Sequence, residues 1–246
     1  MGDHRNLTPR SELEIRIAKL QTALRAQALD GALILHKSDL LYLSGTIQQA
    51  HLYVPDRGDP VLMVRKSLSR ARAESTLDHI EALETPKQIP GLLRRNGLAQ
   101  PRVLGLELDV LPANLYFAYQ KIFHDAELVD VSPAVRRIRA VKSDYELNLI
   151  RQAARYSDQV AALVPTELKE GMTEIELAGR IEAHARRLGH QGIIRMRLWG
   201  SELFYGHLMA GPSAAVPSYL SSPTGGAAVS PAVAQGSSFR PIRRHE

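Results

Sequence analysis

Between Gly31 and Val131 the chain alternates short apolar runs with segments of helical periodicity, and this alternation leaves few ways to fold. Gly31-Ala-Leu-Ile-Leu-His36 is an apolar run bounded by turn-formers, the pattern of a buried strand. His51–Val54 and Val61–Val64 flank Asp56-Arg-Gly-Asp-Pro60, which predicts a hairpin. Arg102–Glu107 and Glu127–Val131 read as further strands. Helices are expected from Ser11 to about Gln27, from Ser67 to Leu77, from Ile89 to Asn96 and from Pro112 to about Phe123. In the first, Ser11 and Glu14 have capping-box spacing, and Ile17, Leu20 and Leu24 share one face. Strands alternating with helices in this way predict an α/β domain with a largely covered sheet.

After Pro133 the texture changes. Ser132-Pro133 opens a short basic helix, and Asp144 to Val164 is a long amphipathic one with Leu147, Ile150, Ala154, Ala161 and Val164 on a single stripe. Its acids Asp144 and Glu146 suit the positive end of the helix dipole. Thr173 and Glu176 form a second capping box, followed by a stripe of Ala178, Ile181, Ala185 and Leu188, with Gly189 as the stop. Ile193 to Trp199 and Leu203 to Met209 are expected as strands. From Gly211 the chain is rich in Ser, Pro, Gly and Ala, and an unstructured loop of more than ~15 residues is unusual in a compact domain.

Several classes of function lose support at this stage. The sequence has no cysteine, which removes disulfides and thiolate metal sites and fits a reducing, cytoplasmic compartment. No apolar run approaches the ~20 residues of a membrane span, and the first residues lack the apolar core of a secretory signal. The formal charge is +5, and Arg136, Arg137, Arg139, Lys142, Arg151 and Arg155 outnumber Asp144 and Glu146 locally. That stretch carries one aromatic, Tyr145, and no nucleic-acid-binding signature, so it reads as a solvated linker and helix face. No glycine cluster follows any strand, so nucleotide binding is unsupported. His36, His51, His79 and His124 are scattered at no ligand spacing and read as ordinary core or surface histidines.

Arg139-Ala-Val-Lys-Ser143 with Glu146-Leu147, and Glu170-Gly-Met-Thr-Glu-Ile-Glu-Leu177, carry a resemblance to a known family. Leu29-Asp-Gly-Ala-Leu-Ile34, Leu41-Tyr-Leu-Ser-Gly-Thr46 and the hairpin from Asp56 to Met63 add to it. In this order the segments resemble the creatinase/prolidase/aminopeptidase P family, the pita-bread metallopeptidases with a creatinase-like N-terminal domain. The resemblance implies an N-terminal creatinase-like α/β domain, a mixed sheet with covering helices, over residues 1–133. An incomplete α+β pita-bread domain is implied over 134–246.

The family's complete members hold two divalent metal ions (Mn, Co or Zn) with two Asp, one His and two Glu. Such ions lower the pKa of a bridging water and polarise the scissile carbonyl. The resemblance places all five ligands beyond the point that aligns with His245-Glu246, so neither a metal ligand nor a catalytic residue is assigned in this chain. The family also usually has a substrate-binding histidine about where Ala234 stands here; His207, one strand earlier, is the candidate substrate-binding residue. The expected function is the N-terminal portion of an Xaa-Pro aminopeptidase or prolidase-like enzyme acting on short proline-containing peptides, a homodimer, with this chain alone inactive. A non-catalytic peptide-binding or scaffold protein of the same fold, or a creatinase-type amidinohydrolase, stays open.

Overall fold

A computed structural model describes residues 7–199, 202–203, 207–218 and 225–246. The chain divides into two units, Met1–Ser143 with Met196–Ser201, and Asp144–Arg195 with Glu202–Glu246.

The first unit contains, in order, α1 (Arg10–Ala26), β1 (Gly31–Ile34), α2 (Lys37–Ser44), β2 (Ala50–Pro55), β3 (Val61–Val64), α3 (Leu68–Glu74), β4 (His79–Ala82), α4 (Ile89–Arg95), β5 (Val103–Leu106), α5 (Ala113–Ile122), β6 (Glu127–Asp130) and α6 (Ser132–Ala140). Its six strands run β4-β3-β2-β1-β5-β6. β2 is antiparallel to β1 and β3, with Ala32 opposite Val54 and Leu52 opposite Leu62. The pairs β1–β5, β3–β4 and β5–β6 are parallel. This is the mixed sheet with covering helices that the resemblance implies.

Side chains alternate across the pleat and build a core on each face. Ala32, Ile34, Leu52, Val54, Leu62 and Val64 pack with Leu13, Ile17, Leu20 and Leu24 of α1 and with residues of α2, α3 and α6. On the other face Leu33, Tyr53, Val61, Met63, Leu104 and Leu106 meet Ile89, Leu92 and Leu93 of α4 and Tyr119 of α5. Burial of each such side chain contributes about 1.5–3 kcal/mol, so the four-residue stripe of α1 is enough to hold that helix in place. Gly105 allows the close approach beside β6: a Cβ there would lie 2.9 Å from Val131 Cβ and 3.0 Å from Leu29 Cδ2.

Some local expectations change. The box at Ser11 does not form, because α1 starts at Arg10 and Ser11 falls inside its first turn; Pro9 is the N-cap and Arg10 pairs with Glu14 instead. α2 and β4 were not foreseen. Leu40-Leu-Tyr-Leu43 is too continuous to show a helical period, and β4 is an edge strand with a single large apolar residue, Ile80. Gly45, at φ 78, ends α2 by donating its N–H to Leu41 O.

The second unit contains α7 (Asp144–Glu167), α8 (Glu174–Arg187) and the antiparallel pair β7 (Ile194–Arg195) and β8 (Glu202–Leu203). Thr173 caps α8 by accepting from Glu176 N at 3.3 Å, as its spacing predicts. Met172, Leu177 and Ile242 make a small core with Ile181, Leu208 and Ala210 against it. The stripe expected to bury α7 is uncovered among the described residues: no residue of that helix is buried, and Ile150 is 50% exposed. Of the strand expected over 193–199 the short β7 forms, and of the one expected over 203–209 Leu203 lies in β8 while 207–209 lie outside any strand. Met196–Ser201 belongs to the first unit, and residues 204–206 of the second expected strand lie outside the described residues.

Candidate functional site

β1 and β5 are parallel neighbours, but the chain leaves them in opposite directions, β1 toward β2 and β5 toward β6. In open α/β sheets the crevice beyond the carboxyl ends of such a pair is where ligands bind. Here it is lined by the residues that follow each strand: His36 and Asp39 after β1, Glu107 and Asp109 after β5. Asp39 is 0%, Glu107 1% and His36 4% exposed. Glu107 is fixed by the turn itself, its Oε2 accepting from Leu35 N at 2.7 Å and His36 N at 2.9 Å. Its Oε1 has no donor in hydrogen-bond reach, and neither has His36 Nδ1 a partner.

The crevice is filled by the segment around Arg197. Arg197 Nε donates to Asp39 Oδ2 at 2.8 Å, Nη1 pairs with Asp109 Oδ2 at 2.5 Å, and Nη2 lies 4.0 Å from Glu107 Oε1. The backbone on either side is held as well: Ser38 Oγ donates to Met196 O at 3.3 Å, and His36 Nε2 sits 3.2 Å from Leu198 O. Arg139 of α6 takes the other oxygen of Asp39, and Arg136 lies 3.3 Å from Asp109. Two cations of the basic stretch are thus engaged by acids of their own unit.

The electrostatics follow from burial and these neighbours. Burial pushes the Glu107 carboxyl well above the usual range, and the adjacent Asp39 carboxylate adds to the shift. For Asp39 burial acts in the same sense but is outweighed by its hydrogen bond with Glu107 and by Arg139 and Arg197, so its pKa is lowered. Asp109 is likewise lowered against burial, through Ser132 and Arg197. The two carboxyls therefore divide their roles: Asp39 carries the charge that Arg197 and Arg139 share, and Glu107 holds a proton more readily.

One atom each of His36, Asp39 and Glu107 lies within 4.8 Å of the others, the one such grouping of possible metal donors among the described residues. It does not fit the family's dinuclear set. It offers one Asp, one His and one Glu, and the free valences of Asp39 are taken by two guanidinium groups whose positive charge opposes a divalent cation.

In the second unit the carboxylate of Glu174, 0% exposed, organises the chain around α8. It accepts from Ala210 N at 2.9 Å, Ser213 Oγ at 3.1 Å, Ser238 N at 3.0 Å and Ser238 Oγ at 2.7 Å. Burial alone would raise its pKa, but these donors lower it. His207 is half-buried and stands outside any strand, against Gly236, where a Cβ would lie 2.9 Å from its Nδ1. Ala234 and its neighbours lie in the same unit.

The other scattered histidines have plain surroundings. His51 Nε2 meets Tyr119 Oη at 2.6 Å in the core, where burial takes it down to about 4. His79 lies 3.8 Å from Asp59 and His124 3.1 Å from Asp125. From sequence, His36 reads as an ordinary histidine and Arg139 as part of a solvated basic stretch, and nothing marks Asp39, Glu107, Asp109 or Arg197 as site residues. The available signal was that two adjacent buried strands, 31–36 and 102–107, each end in a polar residue.

The model described as "Creatinase/Prolidase N-terminal domain" matches residues 16–141, and that described as "Metallopeptidase family M24" matches residues 148–235. The chain belongs to the creatinase/prolidase M24 metallopeptidase family. The uncharacterized peptidase YqhT of Bacillus subtilis is 25% identical over 179 residues, 71% of this chain and 50% of the relative. Creatinase of a Bacillus species is 39% identical over 87 residues, 35% of this chain and 21% of the relative. The prolidase of Pyrococcus horikoshii superposes with TM-score 0.71 at 18% identity, covering 94% of this chain and 58% of that one. The chain thus spans half or less of the length of these two curated relatives. Among the described residues no helix is long and apolar enough to cross a membrane.

Proposed function

We propose that this chain is the N-terminal portion of a metal-dependent Xaa-Pro peptidase, prolidase-like or aminopeptidase-like, that hydrolyses short proline-containing peptides. Residues 1–133 would be its creatinase-like domain and 134–246 the opening part of its pita-bread domain. The observation that carries the reading is the order of the two family matches, residues 16–141 and then 148–235, in a single chain. The likeness to a prolidase over 94% of the chain supports the same fold throughout. The complete enzyme would act in the cytoplasm as a homodimer with two divalent ions. The metal ligands would be supplied from outside residues 1–246, and His207 would face the substrate.

A creatine amidinohydrolase is the second reading, favoured by the 39% identity to creatinase over 87 residues. Purified chain 1–246, given Mn²⁺, Co²⁺ or Zn²⁺ in turn, tests the first. It should turn over neither Xaa-Pro dipeptides nor tripeptides. Metal-dependent hydrolysis by this polypeptide would sink the assignment of its ligands elsewhere.

A further inference from the structure

We propose that the crevice beyond β1 and β5 is a guanidinium receptor, which the chain loads with its own Arg197. Each of the three guanidinium nitrogens faces a different carboxyl group: Nε meets Asp39 at 2.8 Å, Nη1 meets Asp109 at 2.5 Å, and Nη2 is 4.0 Å from Glu107. A planar fork with donors on three sides matches this arrangement, whereas an ammonium is a compact point charge that cannot engage all three walls together. A divalent cation is disfavoured by Arg139, which already occupies Asp39.

The acids alone would not define a site. Two further observations point to a ligand. Glu107 Oε1 and His36 Nδ1 receive no N–H donor although their residues are 1% and 4% exposed, and the Nη2 of Arg197 that faces Glu107 is likewise unpaired. Ser38 and His36 also engage the carbonyls of Met196 and Leu198, so the walls hold the backbone on either side of the arginine as well as its side chain. Arg197 is tethered through that backbone and stops 4.0 Å short of Glu107. An untethered guanidinium compound has no such restraint and is free to close the gap.

The receptor should therefore accept a small guanidinium compound once its own side chain is removed. Thermal unfolding of the full chain carrying Arg197→Ala is followed while methylguanidinium chloride is added, with methylammonium chloride and urea at equal concentrations as controls. The midpoint should rise saturably with methylguanidinium, by about 3 °C or more, as expected for a ligand that binds only the folded state. It should not rise with the controls, in the unsubstituted chain, or in the double variant R197A/D39N. No rise in R197A would overturn the proposal, as would an equal rise with methylammonium or in the unsubstituted protein. If R197A yields no soluble protein, it is refolded from denaturant with each compound present. Recovery with methylguanidinium alone supports the receptor, and equal recovery under all conditions overturns it.

Discussion

Arg197 and Asp39 stand 158 residues apart in sequence and meet at 2.8 Å, the arginine bringing a segment that follows β7 onto a carboxylate at the start of α2. Asp39 is fully buried and also receives Arg139, so one carboxylate compensates two guanidinium groups. Such an arrangement is not a large net source of stability, because desolvating the ions offsets most of their attraction. Its force appears when one partner is removed.

Asp39→Asn would leave Arg139 facing a neutral amide and Arg197 with Asp109 as its remaining close carboxylate partner. We expect a loss of about 3–5 kcal/mol, the range for breaking a buried ion pair from one side. Urea unfolding at neutral pH reads it directly. An unchanged midpoint would mean that solvent screens the cluster far more than its burial implies.

Glu107 gives a pH dependence of opposite sign to its neighbours. Its folded pKa is raised above the unfolded value of about 4.3, so its contribution to stability is complete below that value and is lost as pH rises through the folded pKa. Asp39, Asp109 and Glu174 are lowered, so their contributions hold above the ordinary carboxylate range and are lost as pH falls through their depressed values. Glu107→Gln keeps a neutral group in the same space. Its stability relative to the parent should therefore improve as pH is raised from about 4.3 toward neutrality. A difference that stays flat across that interval would show Glu107 ionised in the folded protein.

Much of the first unit was legible because burial on both faces of a sheet writes itself into local sequence. Gly31–Ile34 and Val61–Val64 are unbroken apolar runs, and Leu13, Ile17, Leu20 and Leu24 mark one helical face. The crevice was not legible. Its members come from residues 36–39, 107–109, 136–139 and 197, and no local period links them. Arg139 and Arg136 looked like part of a solvated basic run because their acids lie far away in sequence. Family membership was legible from short ordered motifs around residues 139–147 and 170–177, within and beside the matched regions.

Glu174 offers a test within the second unit. Replacement by Ala would strip the acceptor from Ala210 N, Ser213 Oγ, Ser238 N and Ser238 Oγ together. Each buried donor left unmade costs about 1–3 kcal/mol, so the loss should reach about 3 kcal/mol even if some find water. Hydrogen exchange at the Ser238 and Ala210 amides should accelerate in step with it. Protection that survives the substitution would assign the ordering of this segment to other contacts.

Gly105→Ala tests the close packing beside β6. The added methyl would meet Val131 Cβ at 2.9 Å and Leu29 Cδ2 at 3.0 Å, forcing both to shift. Overpacking of this kind costs about 1–3 kcal/mol, visible as a lowered thermal midpoint. A neutral result would show more slack around Gly105 than these distances allow.

If these residues are, as proposed, the N-terminal portion of an M24 peptidase, its metal ligands are encoded beyond them. Sequencing the coding DNA downstream of the Glu246 codon tests it most directly. An open frame that supplies two Asp, then a His, then two Glu on strand-like segments is the expected result. A stop codon immediately after Glu246 would contradict it, and a non-catalytic binding protein of the same family would become the better reading.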